Sequence, residues 1–350
     1  ARVARAVQDF ADEASQQGAL GYRHWLARES ALRERLAGFI GAESPEDIAL
    51  LKNTSEGVSV FAAGVPIEPG DNIVIPAGEF PSNRLPWLAQ RHRGAEVREV
   101  DLPRDGDAEQ ALLDAVDANT RVLAVSSPHW ANGFRLDLER LGTHCRRTGA
   151  LFFVDAIQHL GMLPMDVQAA HIDGLAADAH KWLLGPEGIA VFHTSARARE
   201  RLVLQQHGWH MLERPFQFDA PGRAAVAGAR RFEAGSPNSL GQAALHAALG
   251  LLDEIGMATV ERRVLANTEQ LAKGLGELDT VRCSIPDRPE RRSAIIRFEP
   301  LKAPFEEVYG QLKSEGVVAA IRGRGIRLSP HFYQGESDMQ AVLDAVRRCT

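Results

Sequence analysis

The sequence predicts an α/β protein: a large unit built on a mostly parallel sheet, followed by a smaller α+β unit. Three observations carry this expectation. From about residue 72, short and largely apolar runs appear at 73–75, 97–100, 122–125, 151–154, 174–177 and 189–192, each followed by a turn and a helix-like stretch. Runs of that length, apolar on both faces and spaced by helices, are the pattern of strands buried on both sides of a parallel sheet. The end of the chain changes character, mixing helical periodicity with short alternating strands. Finally, 350 residues with 45% hydrophobic and 25% charged content suit two domains of ordinary globular composition.

In chain order, residues 1–40 form a helical segment, because Val3, Val7 and Phe10, then Trp25, Leu26, Leu32, Leu36 and Phe39, recur at helical spacing. The chain starts at Ala1, without Met, directly in helical sequence, so residues ahead of it are expected to be missing. Residues 41–255 are expected to form the large domain, closing on a helix over about 240–252. Residues 256–350 are expected to form the small one, with helices at 259–276, 304–315 and 337–348 and strands at 281–285, 293–299, 317–321 and 325–329. No apolar stretch approaches the ~20 residues of a membrane-spanning helix. A net charge of −6 argues against a nucleic-acid-binding surface. Three scattered cysteines, Cys145, Cys283 and Cys349, suit neither a disulfide framework nor a metal cluster, so a reducing, cytoplasmic setting and no metal are expected.

Only five lysines exist, at positions 52, 181, 273, 302 and 313. Lys181 follows the apolar run 174–177 immediately, where a buried strand emerges at the carboxyl edge of the sheet. That edge is where open α/β sheets bind ligands. Desolvation beside Trp182 and Leu183 lowers an amine's pKa and makes it a usable nucleophile toward a carbonyl. Taken alone, Lys181 also fits a surface lysine with a buried stem. Asp155 changes the weighing. It ends the run 151–154 and lies 26 residues before Lys181, the length of one strand–helix–strand step. A lysine and a carboxylate converging in this way are what pyridoxal phosphate requires. The amine forms a Schiff base with the aldehyde, and the acid keeps the pyridine nitrogen protonated so that the ring is an electron sink. By itself Asp155 also fits a helix N-cap. The segment 52–57 (KNTSEG) opens a helix whose first turn, with Thr54 and Ser55, suits a phosphate. Asn53 with Glu56 three residues on equally fits plain capping.

The runs VDAIQHLG (154–161) and AADAHKWLLGPEGIAVF (176–192) resemble the class V aminotransferase family of pyridoxal-phosphate enzymes, which includes cysteine desulfurases, isopenicillin N epimerase-like proteins and kynureninase relatives. NTSEG (53–57), GEFPSNRLPW (78–87), RFEAGSPNSLG (231–241) and IRGRGIRLSPHFY (321–333) extend the resemblance over nearly the whole chain. It implies the aspartate-aminotransferase fold (fold type I) and a homodimer with active sites at the subunit interface. It also implies Lys181 as the Schiff-base lysine, Asp155 as partner of the pyridine nitrogen and Gln158 as donor to the ring hydroxyl oxygen. Thr54, Ser55 and His180 would contact the phosphate, and Ser236 would reach the phosphate of the neighbouring subunit's cofactor. Phe80 takes the position that stacks on the ring, where many desulfurases carry histidine. Arg327 falls where the family clamps the substrate carboxylate, with Arg322 a second candidate. His129 and Trp130 are candidates for lining the substrate pocket.

Two departures matter. Asp178 stands where a small hydroxyl residue is expected near the phosphate, so its carboxylate points away or the local site differs. The stretch 317–327 contains no cysteine, whereas a desulfurase needs a thiolate on a loop shortly before the carboxylate-binding arginine. The expected function is therefore aminotransferase-type chemistry at Cα of a free amino acid: transamination, epimerisation or β-elimination. A desulfurase or C–S lyase is one alternative, and a non-catalytic binding or regulatory protein on the same fold is another. Substrate choice is expected to rest on loops 129–135, 207–222 and 329–334.

Overall fold

The computed structural model describes residues 1–350 except 104–105, 218 and 220–223. Among the described residues, the strands are β1 (Ile48–Leu51), β2 (Asn72–Pro76), β3 (Glu96–Val100), β4 (Thr120–Ser126), β5 (Leu151–Asp155), β6 (Gly174–Asp178), β7 (Ala190–Thr194), β8 (Val281–Ser284), β9 (Ile296–Pro300), β10 (Ala320–Arg322) and β11 (Gly325–Leu328). The α-helices are α1 (Arg2–Gln17), α2 (Tyr22–Ile40), α3 (Thr54–Gly64), α4 (Leu85–Leu88), α5 (Ala108–Asp114), α6 (Leu138–Thr148), α7 (Ala196–Arg201), α8 (Ser239–Ile255), α9 (Met257–Gly276), α10 (Phe305–Ser314) and α11 (Glu336–Cys349). No single described helix is long and apolar enough to cross a bilayer.

Two compact units divide the chain. The larger holds residues 1–126, 137–160 and 165–254, and the smaller holds 127–136, 161–164 and 255–350. The larger carries a seven-stranded sheet in the order β1-β7-β6-β5-β4-β2-β3. Pairs β2·β3, β2·β4, β4·β5 and β5·β6 are parallel, while β7 runs antiparallel to both β6 and β1. The reversal at β7 follows from its connection. A parallel return needs a crossover of a dozen or more residues, usually a helix. Residues 179–189 offer no helix, so the chain folds back beside β6. β1 is an apolar run lying before the expected series that begins near residue 72: only four residues long, it is buried and pairs with β7.

The expected helix over 1–40 is two helices, broken at Gly18–Gly21 by a short 3-10 turn in which Gly18 has φ 52°. The core of this unit packs Phe61 against Phe153 at 4.9 Å between ring centroids and Trp87 against Phe153 at 5.5 Å. All three side chains are fully buried, each removing a large aromatic area from water.

The smaller unit is a four-stranded antiparallel sheet in the order β10-β11-β9-β8. α9, α10 and α11 supply Leu271, Leu275, Val308, Leu312 and Leu343 to a core shared with Phe298 and Ile326. Two strand expectations run long. Residues 317–319 lie outside β10: Val317 packs against the core of this unit, while Val318 is 95% exposed. Residues 293–295 precede β9 as a link whose Ser293 hydroxyl donates to the Gly133 carbonyl at 2.7 Å.

Candidate active site

Strands β4, β5 and β6 end together on one edge, at Ser126, Asp155 and Asp178, with Ser126 and Asp155 in register. Asp155 is 2% exposed, and its Oδ1 accepts the Ile157 backbone N–H at 3.1 Å. Burial pushes its carboxyl up to about 6, against the opposing pull of that hydrogen bond and of the Lys181 charge. Lys181 stands in the turn that follows β6. The turn is closed by Gly185 N–H donating to the Ala179 carbonyl at 2.9 Å and Leu184 N–H donating to the Lys181 carbonyl at 3.2 Å. Leu184 has φ 60°, a conformation that non-glycine residues rarely hold away from functional turns. Lys181 Nζ lies 5.9 Å from the centroid of the Phe80 ring, which is 38% exposed.

Gln158 is oriented by a residue not assigned a polar role from sequence. The Trp182 indole N–H donates to Gln158 Oε1 at 2.9 Å, so the amide's NH2 is the end available to a ligand's acceptor oxygen.

The start of α3 reaches the same edge. Gly57 lets the helix approach β6 closely, because a Cβ at that position would sit 2.7 Å from Ala176 Cβ. Thr54 Oγ1 thereby accepts the Asp178 backbone N–H at 2.9 Å, and Ser55 Oγ donates to Ser82 Oγ at 2.8 Å. The capping arrangement is present too. Asn53 Oδ1 accepts Glu56 N–H at 2.9 Å, while Glu56 Oε2 accepts Lys52 N–H at 2.6 Å. Asp178 Oδ1 lies 3.0 Å from His180 Nδ1 but, among the described residues, makes no hydrogen bond, so its buried carboxylate stays beside the phosphate-binding candidates. Ser236 is exposed. Its turn is pinned by Asn238, which donates to the Gly188 carbonyl at 2.8 Å and accepts from Gly241 N–H at 2.9 Å.

Glu79 is the residue that sequence reasoning passed over. It is 5% exposed, and its Oε1 accepts Ser126 N–H at 2.6 Å. Oε2 pairs with the Ser126 hydroxyl and accepts Phe80 N–H at 3.3 Å. Burial pushes this carboxyl up to about 7, and the nearby Asp155 charge adds to the rise. Its only sequence signal is an acid just past β2, inside a motif read for its phenylalanine.

The remaining candidates belong to the smaller unit. Arg327 Nη1 donates to the Trp130 carbonyl at 2.6 Å, and the Arg322 guanidinium lies 5.2 Å from the Trp130 ring centroid. Desolvation, and then the neighbouring Arg322 charge, pull Arg327 down to about 10. His129 begins a tight loop in which its N–H donates to the Phe134 carbonyl at 2.9 Å and its Nδ1 accepts Ala131 N–H at 3.3 Å. Of the loop 207–222, residues 218 and 220–222 lie outside the described residues.

The three cysteines carry no thiolate character. Burial pushes Cys145 up to about 12 and Cys283 up to about 11, and Cys349 is also raised. Between β10 and β11 the chain turns in two residues, Gly323 and Arg324, with Gly323 at φ 58°.

Known proteins agree with this architecture. The aminotransferase class-V pattern matches residues 3–329. A probable cysteine desulfurase of Methanothermobacter thermautotrophicus is 32% identical over 329 residues, covering 89% of this chain and 80% of its own. The apo cysteine desulfurase of Thermococcus onnurineus NA1 superposes with a TM-score of 0.89 at 24% identity, covering 99% of this chain and 90% of its own. The cystine C–S lyase C-DES, solved with cysteine persulfide, superposes with a TM-score of 0.91 at 22% identity, covering 98% of this chain and 93% of its own. A variant of C-DES carries glycine covalently linked to its pyridoxal-phosphate cofactor. With the pattern running from the first helix to the last strand of the small sheet, this chain belongs to the class-V aminotransferase family of pyridoxal-phosphate-dependent enzymes.

Proposed function

We propose that this enzyme holds pyridoxal phosphate through Lys181 and acts at the α-carbon of a free amino acid, with no enzyme thiol taking part. The observation that carries the reading is Asp155, a fully buried carboxyl at a strand end whose proton affinity only the Ile157 N–H and the Lys181 charge oppose. A buried acid of that kind suits a cationic nitrogen. The rest of the donor set fits the same group: the Gln158 amide turned by Trp182, hydroxyls at the start of α3, and an aromatic ring near the Lys181 amine. When bound, the cofactor supplies an electron sink for charge developing at Cα.

The chain's own groups do the remaining work. Asp155 holds the proton on the ring nitrogen, and Gln158 donates to the ring oxygen. Thr54, Ser55 and His180 take the phosphate. Lys181, once freed as an amine, moves the proton at the substrate's Cα. Arg327 forks onto the substrate carboxylate, with His129 and Trp130 beside it. The working unit is a homodimer in which Ser236 serves the partner's phosphate. The exposed, pinned turn at Asn238 supports that role.

The likeness to cysteine desulfurases supports a second reading, in which the substrate carries sulfur. A persulfide relay on this chain is opposed by the two-residue turn before Arg327 and by three thiols of raised pKa. Sulfur release by β-elimination needs no enzyme thiol and stays within the proposal.

The purified protein is expected to be yellow. Borohydride reduction and peptide mapping should mark Lys181 and none of the other four lysines, and Lys181→Ala should lose both colour and turnover. A colourless protein that takes up no added pyridoxal phosphate ends this reading.

A further inference from the structure

One face of the small sheet carries far more positive than negative charge. In antiparallel pairs, directly opposed residues share a face, and so do residues two apart on one strand. Arg322 opposes Gly325, Arg327 lies two beyond Gly325, Arg297 opposes Arg327, and Arg282 opposes Glu299. Arg282, Arg297, Arg322 and Arg327 therefore share their face with a single acid, Glu299. That acid is already used. Arg297 Nη2 pairs with Glu299 Oε1, and Arg282 Nη1 lies 3.8 Å from Glu299 Oε2.

Arg322 and Arg327 are left over. Among the described residues neither makes a salt bridge, and each has a buried Nε with no hydrogen-bond partner. They are diagonal neighbours, whose separation across an antiparallel pair is ~7–8 Å. Both are held by one residue, Arg327 through the Trp130 carbonyl and Arg322 over the Trp130 ring. Two guanidinium groups fixed side by side repel each other, and partial burial weakens the solvent screening that would relieve them. One carboxylate balances one of the two. A ligand with two acidic groups balances both.

We infer that Arg322 and Arg327 form a two-anion site, so that the preferred substrate is an α-amino acid with a second acidic group on its side chain. The α-carboxylate takes one guanidinium and the side-chain acid takes the other. This substrate class rests on the proposed Cα chemistry, but the site itself consists only of residues in the smaller unit.

The test separates the two. Turnover of aspartate, glutamate and cysteine sulfinate is compared with that of asparagine, glutamine and cysteine, and thermal shifts are read with succinate and glutarate against propionate and butyrate. The wild-type holoenzyme should favour the acidic member of each pair by at least tenfold in kcat/KM, and only the dicarboxylates should raise its melting temperature. Arg322→Met keeps an apolar stem over Trp130 and removes the charge. It should cut the acidic-to-neutral ratio at least tenfold and abolish the dicarboxylate shift. Equal use of acidic and neutral substrates by the wild type, or a preference that survives Arg322→Met, overturns the inference. The cofactor reading fails separately: a colourless protein that still selects dicarboxylates keeps the arginine site and loses the chemistry.

Discussion

Two of the buried sets of charged side chains in the large unit are built on opposite plans. Around Glu233 every charge has a partner. Arg33 Nη1 donates to Glu233 Oε1 at 2.7 Å and to the Ile48 carbonyl at 2.7 Å, and its Nη2 donates to Glu29 at 2.5 Å and Glu233 at 2.9 Å. Leu50 N–H adds 2.7 Å to Glu233 Oε1, and His210 Nδ1 lies 3.4 Å from Oε2. Around Asp155, two carboxyls, Asp155 and Glu79, are buried together, and the Asp155 charge adds to the raised proton affinity of Glu79. The first cluster joins α2, β1 and the segment after α7, and it is balanced from within. The second, at the ligand-binding edge of the sheet, is under-compensated: the Lys181 charge opposes the rise at Asp155, but burial outweighs it. Burial of charge therefore marks nothing by itself, and a carboxyl whose burial outweighs its counter-charge is what marks a site. Glu29, His210 and Glu233 approach closely enough to hold a metal ion, but Arg33 already occupies both carboxylates.

The contrast is sharpest in what removing one charge does. Arg33→Met strands two buried carboxylates, and a broken buried ion pair typically costs about 3–5 kcal/mol. Denaturant unfolding should register that loss whether or not cofactor is present. A variant as stable as the parent would place the Glu233 cluster in the same class as the Asp155 pair.

Asp155→Asn should do the reverse in the cofactor-free protein. Folding raises this carboxyl from 3.8 to about 6, and Glu79 from 4.5 to about 7. Groups that bind protons more tightly when folded contribute stability that is complete below pH ~4 and is lost as pH rises through 6 to 7. The asparagine variant escapes its share of that loss. At pH 8 the cofactor-free variant should be more stable than the cofactor-free parent by up to about 3 kcal/mol, whereas the cofactor-loaded variant should retain its cofactor but lose most turnover. Melting curves at pH 4 and pH 8 read the sign: the difference should vanish at the lower pH. A destabilised apo variant at pH 8 would mean that the Lys181 charge offsets the burial of Asp155 in full.

Much of this was legible in the sequence, for physical reasons that differ by element. The strands at 73–75, 122–125 and 151–154 stand out because a strand buried on both faces is apolar at every position. Asp155 and Lys181 stand out because each follows an apolar run, although the expected strand–helix–strand step is in fact a strand–loop–strand one, with no helix between β5 and β6. The reversed direction of β7 does not, since it depends on how the chain between 179 and 189 folds back, and an apolar run has no polarity. Glu79 was hidden because its partner Ser126 lies 47 residues away and neither carries a periodic signal. Trp182 was read for its apolar ring, while its indole N–H and Gln158 meet only once the turn after β6 is built. The unpaired arginines needed strand register, since sequence shows four arginines and one glutamate but not that they share a face.

The smallest effect belongs to the thiols. Replacing Cys145, Cys283 and Cys349 by serine should leave turnover within about twofold once the loss from burying hydroxyls is allowed for. Activity of the folded, cofactor-loaded triple variant reads it directly. A large loss would return the sulfur-relay mechanism.

The turn at Gly323 and Arg324 sets a limit on transport. Two residues span at most ~7 Å even when fully extended, and here they are folded into a hairpin closed by the pairing of Arg322 with Gly325. An arm that carries a reaction product away from the site on a covalent handle needs both a nucleophile and reach, and this turn has neither. In the β-elimination branch of the proposed reaction, the group released from the side chain departs as a free small molecule. Its fate is then set by diffusion and by the surrounding solution, with no hand-over between protein surfaces.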